Sequence, residues 1–433
     1  MAATAPPAFL TRRDIDRIQL DALRSMLAEV LPRNPFYGPK LSAAGITADI
    51  ASVSAFLDSA PLTRKQELVD DQTAHPPYGT NLTYALDRYT RYNQTSGTSG
   101  LPLRWLDTNE SWDWMVGNWL EVYRASGVGP GARIFFAFSF GPFLGFWTAF
   151  EAGYRIGCLC IPGGGMSSPA RLRAILDNGC TVLCCTPTYA IRLGEVAIEE
   201  QVDLSDGPVK TIIVAGEPGA GIPATRNRME RLWPGAAIRD HHGMTEVGPV
   251  SYECPERAGV LHVIESSFVP EVIDPETGRR LCPGNPGELV LTNLGRRGSP
   301  LIRYRTGDLV EQSIDPVCAC GRSDFALTGG ILGRTDDMVV IRGVNVHATA
   351  VEGIVSRFGD VAEYRVEVST AHALHEIALV VEPSTACADV DSLRHEIESA
   401  LRVAFNLRVP VEIAPEGSLP RFEMKARRWI RRA

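Results

Sequence analysis

"TVLCCTPTYAIRLGEVAIEE", residues 181–200, sets a short apolar run before a longer stretch with helical spacing. The first six residues read as a buried strand, and Pro187 onward as a helix. Similar pairs recur on both sides. "KTIIVAG" (210–216) leads through "EPGAG" (217–221) to a helix ending near Leu232, and "RIFFAF" (133–138) precedes Gly141, Pro142 and an apolar helix. Strands alternating with helices predict α/β layers. The opening segment, 11–33, places Ile15, Ile18, Ala22, Met26 and Val30 at helical spacing among charged residues. Short β-rich runs at 268–274, 287–294 and 300–310 predict further sheets.

The pattern changes near 332–359, after which it runs strand, helix, strand, strand, helix, strand. That order predicts a split βαββαβ domain of about 100 residues. The expected architecture is therefore α/β, with a large multi-sheet domain over 1–333 and a small one over 334–433.

At 433 residues, 45% hydrophobic and 22% charged, the chain has the composition of a globular protein with a substantial core. A formal net charge of −8 argues against nucleic acid as a partner, because phosphate backbones select basic surfaces. The apolar tract 133–150 is broken by Ser139, Gly141 and Pro142, so no membrane span is expected. Cys184 and Cys185 inside an apolar strand fit reduced thiols, and no secretory signal is apparent, so a cytoplasmic location is expected.

Three segments suggest chemistry. "YNQTSGTSGLPLRW" (92–105) offers the hydroxyls of Thr95, Ser96, Thr98 and Ser99 beside Gly97 and Gly100. Backbone amides and hydroxyls in such a loop can surround phosphate oxygens. In "DHHGMTEVG" (240–248), Glu246 is a hard oxygen ligand suited to Mg²⁺ on a triphosphate, and Thr245 can donate to a phosphate. In "YRTGDL" (304–309), Asp308 can accept from ribose hydroxyls. Each also has a plainer reading, as a solvated turn, a surface Glu or a capping Asp.

Their order settles the reading. "TSGTSG", "GEPG" (216–219), "HGMTE", "YRTGDL", "GRTDD" (333–337) and "PRFEMK" (420–425) together resemble the adenylate-forming superfamily. "NPFY" (34–37), "CACGR" (318–322) and "GRTDDMVVIRGVNV" (333–346) narrow the resemblance to the phenylacetate-CoA ligase family. It implies an ATP- and Mg²⁺-dependent ligase that converts an aromatic acid to an acyl-AMP and then to a coenzyme A thioester. Phenylacetate and benzoates such as anthranilate are the expected acids. A stand-alone enzyme loading a carrier protein and a catalytically degenerate nucleotide-binding protein are the alternatives. A homodimer is the expected assembly.

The resemblance also implies roles. Lys425 would bridge carboxylate and α-phosphate, with Thr245 and Glu246 completing the catalytic set. Gly216, Glu217, Pro218, Asp240, His241, His242, Gly243, Met244, Asp308 and Arg334 would surround the nucleotide. Asp336 would be the hinge of a mobile C-terminal domain, and Gly343 would line the coenzyme A tunnel. Phe138, Ser139, Phe140, Gly141, Phe143, Gly164 and Gly165 would shape the acid pocket. Three positions depart from the family pattern: Leu101 stands where Lys is usual, Met424 where Gly is, and His242 where Tyr is. Arg104 is a candidate for the missing positive charge. Finally, Cys254, His262, Cys318 and Cys320 form a candidate structural zinc set, with Gly321 allowing a tight turn and Cys282 as a substitute ligand.

Overall fold

The computed structural model describes residues 9–95, 102–335, 338–341, 344–371, 374–422 and 426–431. The chain forms two compact units, Met1–Gly164 with Arg239–Gly330, and Gly165–Ile238 with Ile331–Ala433.

In the first unit the helix Arg12–Arg33 starts at a capping box, in which Thr11 and Asp14 bond each other's backbone amides. Its inner face carries Ile15, Leu23, Met26, Leu27 and Val30, and Gln19 is buried with them. The Gln19 carboxamide donates to the Phe268 carbonyl at 2.8 Å, which satisfies a polar group on an otherwise apolar stripe. The strands Tyr89–Gln94 and Arg104–Thr108 form an antiparallel hairpin. Arg133–Phe136 and Leu159–Pro162 are parallel, linked by the helix Trp147–Arg155. Phe268–Ile273, Pro286–Asn293 and Tyr304–Glu311 form an antiparallel meander. A smaller sheet joins Ser251–Glu253, Val260–Val263 and Ala326–Thr328.

In the second unit residues 181–200 form the expected strand and helix. Val182–Cys185 is fully buried and pairs in parallel with Thr211–Ala215, with the helix Pro187–Glu199 between them. Thr186 caps that helix by accepting from the Tyr189 amide. Farther along, Val361–Ala371 and Leu374–Pro383 pair antiparallel, and Val411–Ile413 adds in parallel. Ala348–Val355 and Val390–Phe405 are helices, and Val351, Val366, Leu379, Ile397 and Leu401 share the core.

The expected βαββαβ order recurs with two differences. The first strand is a separate hairpin, Met338–Ile341 with Val344–His347, because its two apolar runs pair with each other. The basic tail supplies an added edge strand, Trp429–Arg431, parallel to Val361–Ala371. Trp429 packs against the core, and Glu363 binds the Arg428 guanidinium at 2.6 Å, so local charge does not keep the tail in solvent. Among the described residues no helix is long and apolar enough to cross a membrane.

Candidate active site

One guanidinium ties three motifs of the first unit together. Arg296 is fully buried, and its Nε and Nη2 donate to the two carboxylate oxygens of Asp107, each at 2.6 Å. Its Nη1 donates to the backbone carbonyls of Thr245 at 2.7 Å and Glu246 at 2.8 Å. Asp107 belongs to the hairpin that carries the hydroxyl-rich loop, and Arg296 precedes the "YRTGDL" strand. The planar fork suits such a junction, since each donor meets an acceptor in a fixed direction. No local pattern announced either residue.

A second link joins two motifs directly. His242 Nε2 lies 3.0 Å from Asp308 Oδ2, which brings the "DHHGMTEVG" and "YRTGDL" segments side by side. Glu246 is buried, with its carboxylate 3.3 Å from the Lys65 ammonium, so a carboxylate and a cation stand side by side. Gly243 is needed where it stands, because a Cβ there would approach the Gly248 carbonyl oxygen to 3.0 Å. Met244 pairs with Gly248 across the same tight ribbon.

His241, by contrast, faces inward. Its ring packs on Trp119 with centroids 4.3 Å apart, and Nδ1 meets the Ser251 carbonyl. Burial, aided by His242, pushes its pKa down to about 3 against the Ser251 hydrogen bond. The folded state therefore holds it neutral, and its contribution to stability is complete above the unfolded value of about 6.5. That contribution is lost as pH falls from there toward about 3, at roughly 1.4 kcal/mol per pH unit. We expect His241→Phe to flatten the acid limb of stability measured by urea unfolding from pH 7 to 4. An unchanged slope would show that another group carries it. Asp240 Oδ1 accepts the His241 amide, and the Asp240 amide donates to Glu253 Oε2.

The hydroxyl loop is closed at its base. Thr95 Oγ1 accepts the Leu103 amide at 3.0 Å, and the Thr95 amide donates to the Leu103 carbonyl at 2.9 Å. Ser96, Gly97, Thr98, Ser99, Gly100 and Leu101 lie outside the described residues, as do Asp336, Gly343, Met424 and Lys425. Arg104 is exposed, and its guanidinium donates to the Pro77 carbonyl at 2.9 Å.

The preceding residue, Gln94, donates its amide to the Pro142 carbonyl at 2.7 Å, which connects the hydroxyl loop to the aromatic turn. There Phe140 adopts a φ of 48°, held by edge contacts with Trp147 at 4.8 Å and Phe150 at 5.5 Å. Phe138 meets both Phe140 and Phe146 edge-on, and Trp147 Nε1 donates to the Gly141 carbonyl at 3.0 Å. Phe146 is core, whereas Phe138, Phe140 and Phe143 are half-buried and Ser139 is exposed. Gly164 leaves no room for more, because a Cβ would come within 3.3 Å of the Phe138 carbonyl oxygen.

In the second unit Gly216 takes a φ of 98° where the strand Thr211–Ala215 ends, and Gly165 takes 73°. Pro218 follows in that turn. Glu217 turns its carboxylate to backbone amides of the same unit rather than leaving it free. Arg334 lies in the short strand Gly333–Arg334.

The cysteine and histidine set converges. The ligand atoms of Cys254, His262, Cys318 and Cys320 all lie within 4.8 Å of one another. Cys254 Sγ is 3.7 Å from Cys318 Sγ, and Cys320 Sγ is 3.5 Å from His262 Nε2. These are edge lengths that a tetrahedron with Zn–S bonds of about 2.3 Å requires. Burial pushes the His262 pKa down to about 4, which keeps the imidazole neutral and able to ligate. Gly321, at a φ of 86°, donates its amide to the Cys318 carbonyl and makes the tight turn. Cys282 is exposed and outside the group.

This geometry has relatives. Residues 60–295 match the AMP-binding enzyme family, and residues 343–432 match the AMP-binding enzyme C-terminal domain. The chain belongs to the adenylate-forming enzymes. It is 30% identical to the phenylacetate-coenzyme A ligase of Thermus thermophilus, over 96% of this chain and 95% of that one. The Escherichia coli phenylacetate-coenzyme A ligase is also 30% identical, over 95% and 94%. A crystal structure of 2-hydroxyisobutyryl-CoA ligase in the postadenylation state matches at TM-score 0.92 and 27% identity, covering 99% of this chain and 94% of that one. In the thioesterification state that ligase matches at 0.73. Within the superfamily the chain is a member of the phenylacetate-CoA ligase family, an ATP-dependent, AMP-forming acid–CoA ligase that works through an acyl-AMP.

Proposed function

We propose that the acid is aromatic, phenylacetate or a benzoate such as anthranilate, and that free coenzyme A is the acceptor. The observation carrying this reading is the aromatic turn at Phe138–Phe143, tied through Gln94 to the base of the hydroxyl loop. Half-buried ring faces tied to the base of a loop that would bind phosphate would hold a flat acid with its carboxylate toward the α-phosphate. Carboxylate attack there expels pyrophosphate, and thiolate attack on the acyl-AMP then expels AMP. Both substrates of the first step are anions, so donors fixed beforehand dominate the catalysis.

Thr245 and the hydroxyls of residues 95–99 would donate to phosphate oxygens, and Asp308 would accept from the ribose. Mg²⁺ accompanying the triphosphate would be held by Glu246 and would neutralise phosphate charge. Residues 334–433 would form the mobile domain, with Asp336 as hinge, Lys425 as the adenylation lysine and Gly343 on the thiol tunnel. A second reading, a small branched hydroxy acid, draws support from the likeness to 2-hydroxyisobutyryl-CoA ligase.

Acid-dependent pyrophosphate exchange with phenylacetate, benzoate, anthranilate and 2-hydroxyisobutyrate separates the two. We expect at least one aromatic acid to exceed the aliphatic one by about 10–100-fold in kcat/KM. The reverse order would exclude the aromatic pocket. Mass spectrometry with added coenzyme A identifies the thioester.

We also propose a closed structural zinc at Cys254, His262, Cys318 and Cys320, supported by the convergence of their ligand atoms. Protein purified without chelator should carry about one zinc per chain. Cys318→Ser should remove it and lower the melting temperature, and metal-free protein of unchanged stability would eliminate the site.

A further inference from the structure

The carboxylate of Glu217 bridges two backbone amides of the second unit. Its Oε1 accepts the amide of Thr188 at 2.9 Å, and its Oε2 accepts the amide of Ala426 at 2.8 Å. Thr188 is the second residue of the helix Pro187–Glu199, where amides lack intrahelical acceptors and the helix end is partly positive. Ala426 is the residue immediately after Lys425. We propose that Glu217 is a positioning residue for acyl-AMP formation, latching the lysine-bearing segment to the helix Pro187–Glu199. The inference rests on the adenylation role assigned to Lys425 above.

The other anchors of this segment divide the labour clearly. Arg421 donates to both oxygens of Glu382, at 2.5 and 3.1 Å, and Arg428 donates to both oxygens of Glu363, at 2.6 and 3.1 Å. Glu382 also accepts the amides of Gly417 and Leu419. Glu363 and Glu382 lie inside the matched C-terminal domain, 343–432, so these bonds travel with the segment. Glu217 lies in the other matched region, 60–295. Its bond to Ala426 therefore has to be made for the first half-reaction and broken if the small domain departs for the second.

The chemistry suits a reversible latch. The bond uses a backbone N–H, that of the residue directly after Lys425. A carboxylate accepting from an amide is a charge-assisted bond, enough to bias a position and weak enough to release. A carboxylate is also the group the geometry needs, since both partners donate. Glutamine would offer one acceptor oxygen and turn its NH₂ toward the other amide.

The test uses the full chain and the variants Glu217→Ala and Glu217→Gln, each checked for an unchanged melting temperature. Two half-reactions are compared: acid-dependent pyrophosphate exchange, and thioester formation from supplied acyl-AMP and coenzyme A. Both variants should lose about 10–100-fold in exchange, the rate equivalent of the bond, and stay within about two-fold in thioester formation. Hydrogen exchange gives a readout independent of turnover. In Glu217→Ala, which keeps neither acceptor, the Ala426 amide should exchange at least about ten-fold faster, while the Leu419 amide held by Glu382 keeps its protection. Equal losses in the two half-reactions, or unaltered Ala426 protection, overturn the latch. Normal exchange activity in the variants removes the latch alone, whereas absence of exchange in the unsubstituted chain removes the ligase reading with it.

Discussion

Lys425→Ala is expected to slow acyl-AMP formation by about 10²–10³-fold, the loss typical of removing one donor from developing charge. Carboxylate and α-phosphate repel until a cation stands between them, and a compact ammonium on a flexible stem can reach both. The flanking chain is held by paired guanidinium–carboxylate bonds, Arg421 to Glu382 and Arg428 to Glu363. Lys425→Arg should rescue little, because its fork needs acceptors arranged in a plane. Thioester formation from supplied acyl-AMP should remain within a few-fold of normal. If both half-reactions fell together, the lysine would be structural.

The α/β layering was legible wherever a short apolar run preceded a helical stretch, as at 181–200, because burial and periodicity are both local properties. The meander was legible as β without its register, since every residue of Phe268–Ile273 is buried and no alternation marks its faces. The cysteine and histidine set could be proposed from composition. What joins it is strand pairing: His262 stands opposite Ala326 and Tyr252, which carries Cys254 and the Cys318 turn to one end of a small sheet. Adjacent histidines show where reading stops. His242 reaches Asp308 while His241 packs on Trp119, a difference set by which way consecutive side chains leave the backbone. The resemblance implies a nucleotide position for Glu217, and nothing in "GEPG" reveals amides supplied by residues 188 and 426. Arg296 and Asp107, 189 residues apart, read singly as surface charges.

That last pair carries the largest expected effect on stability. Asp107→Ala should destabilise the protein by about 3–5 kcal/mol, because it leaves the buried Arg296 guanidinium without its counter-charge. Both side chains are fully shielded from water, so neither solvent nor salt can substitute for the partner. Urea unfolding measures the loss, and a change below about 1 kcal/mol would mean that the pair is not shielded in solution. Replacing both members with apolar residues, Asp107→Leu with Arg296→Met, should recover much of the stability, since no charge then remains buried. It should not recover pyrophosphate exchange. The carbonyls of Thr245 and Glu246 would still lack the donor that aims their loop, and an apolar side chain cannot supply one. Stability restored without activity separates the cost of burying charge from the use to which this guanidinium is put. Restoration of both would mean that the loop finds its place unaided.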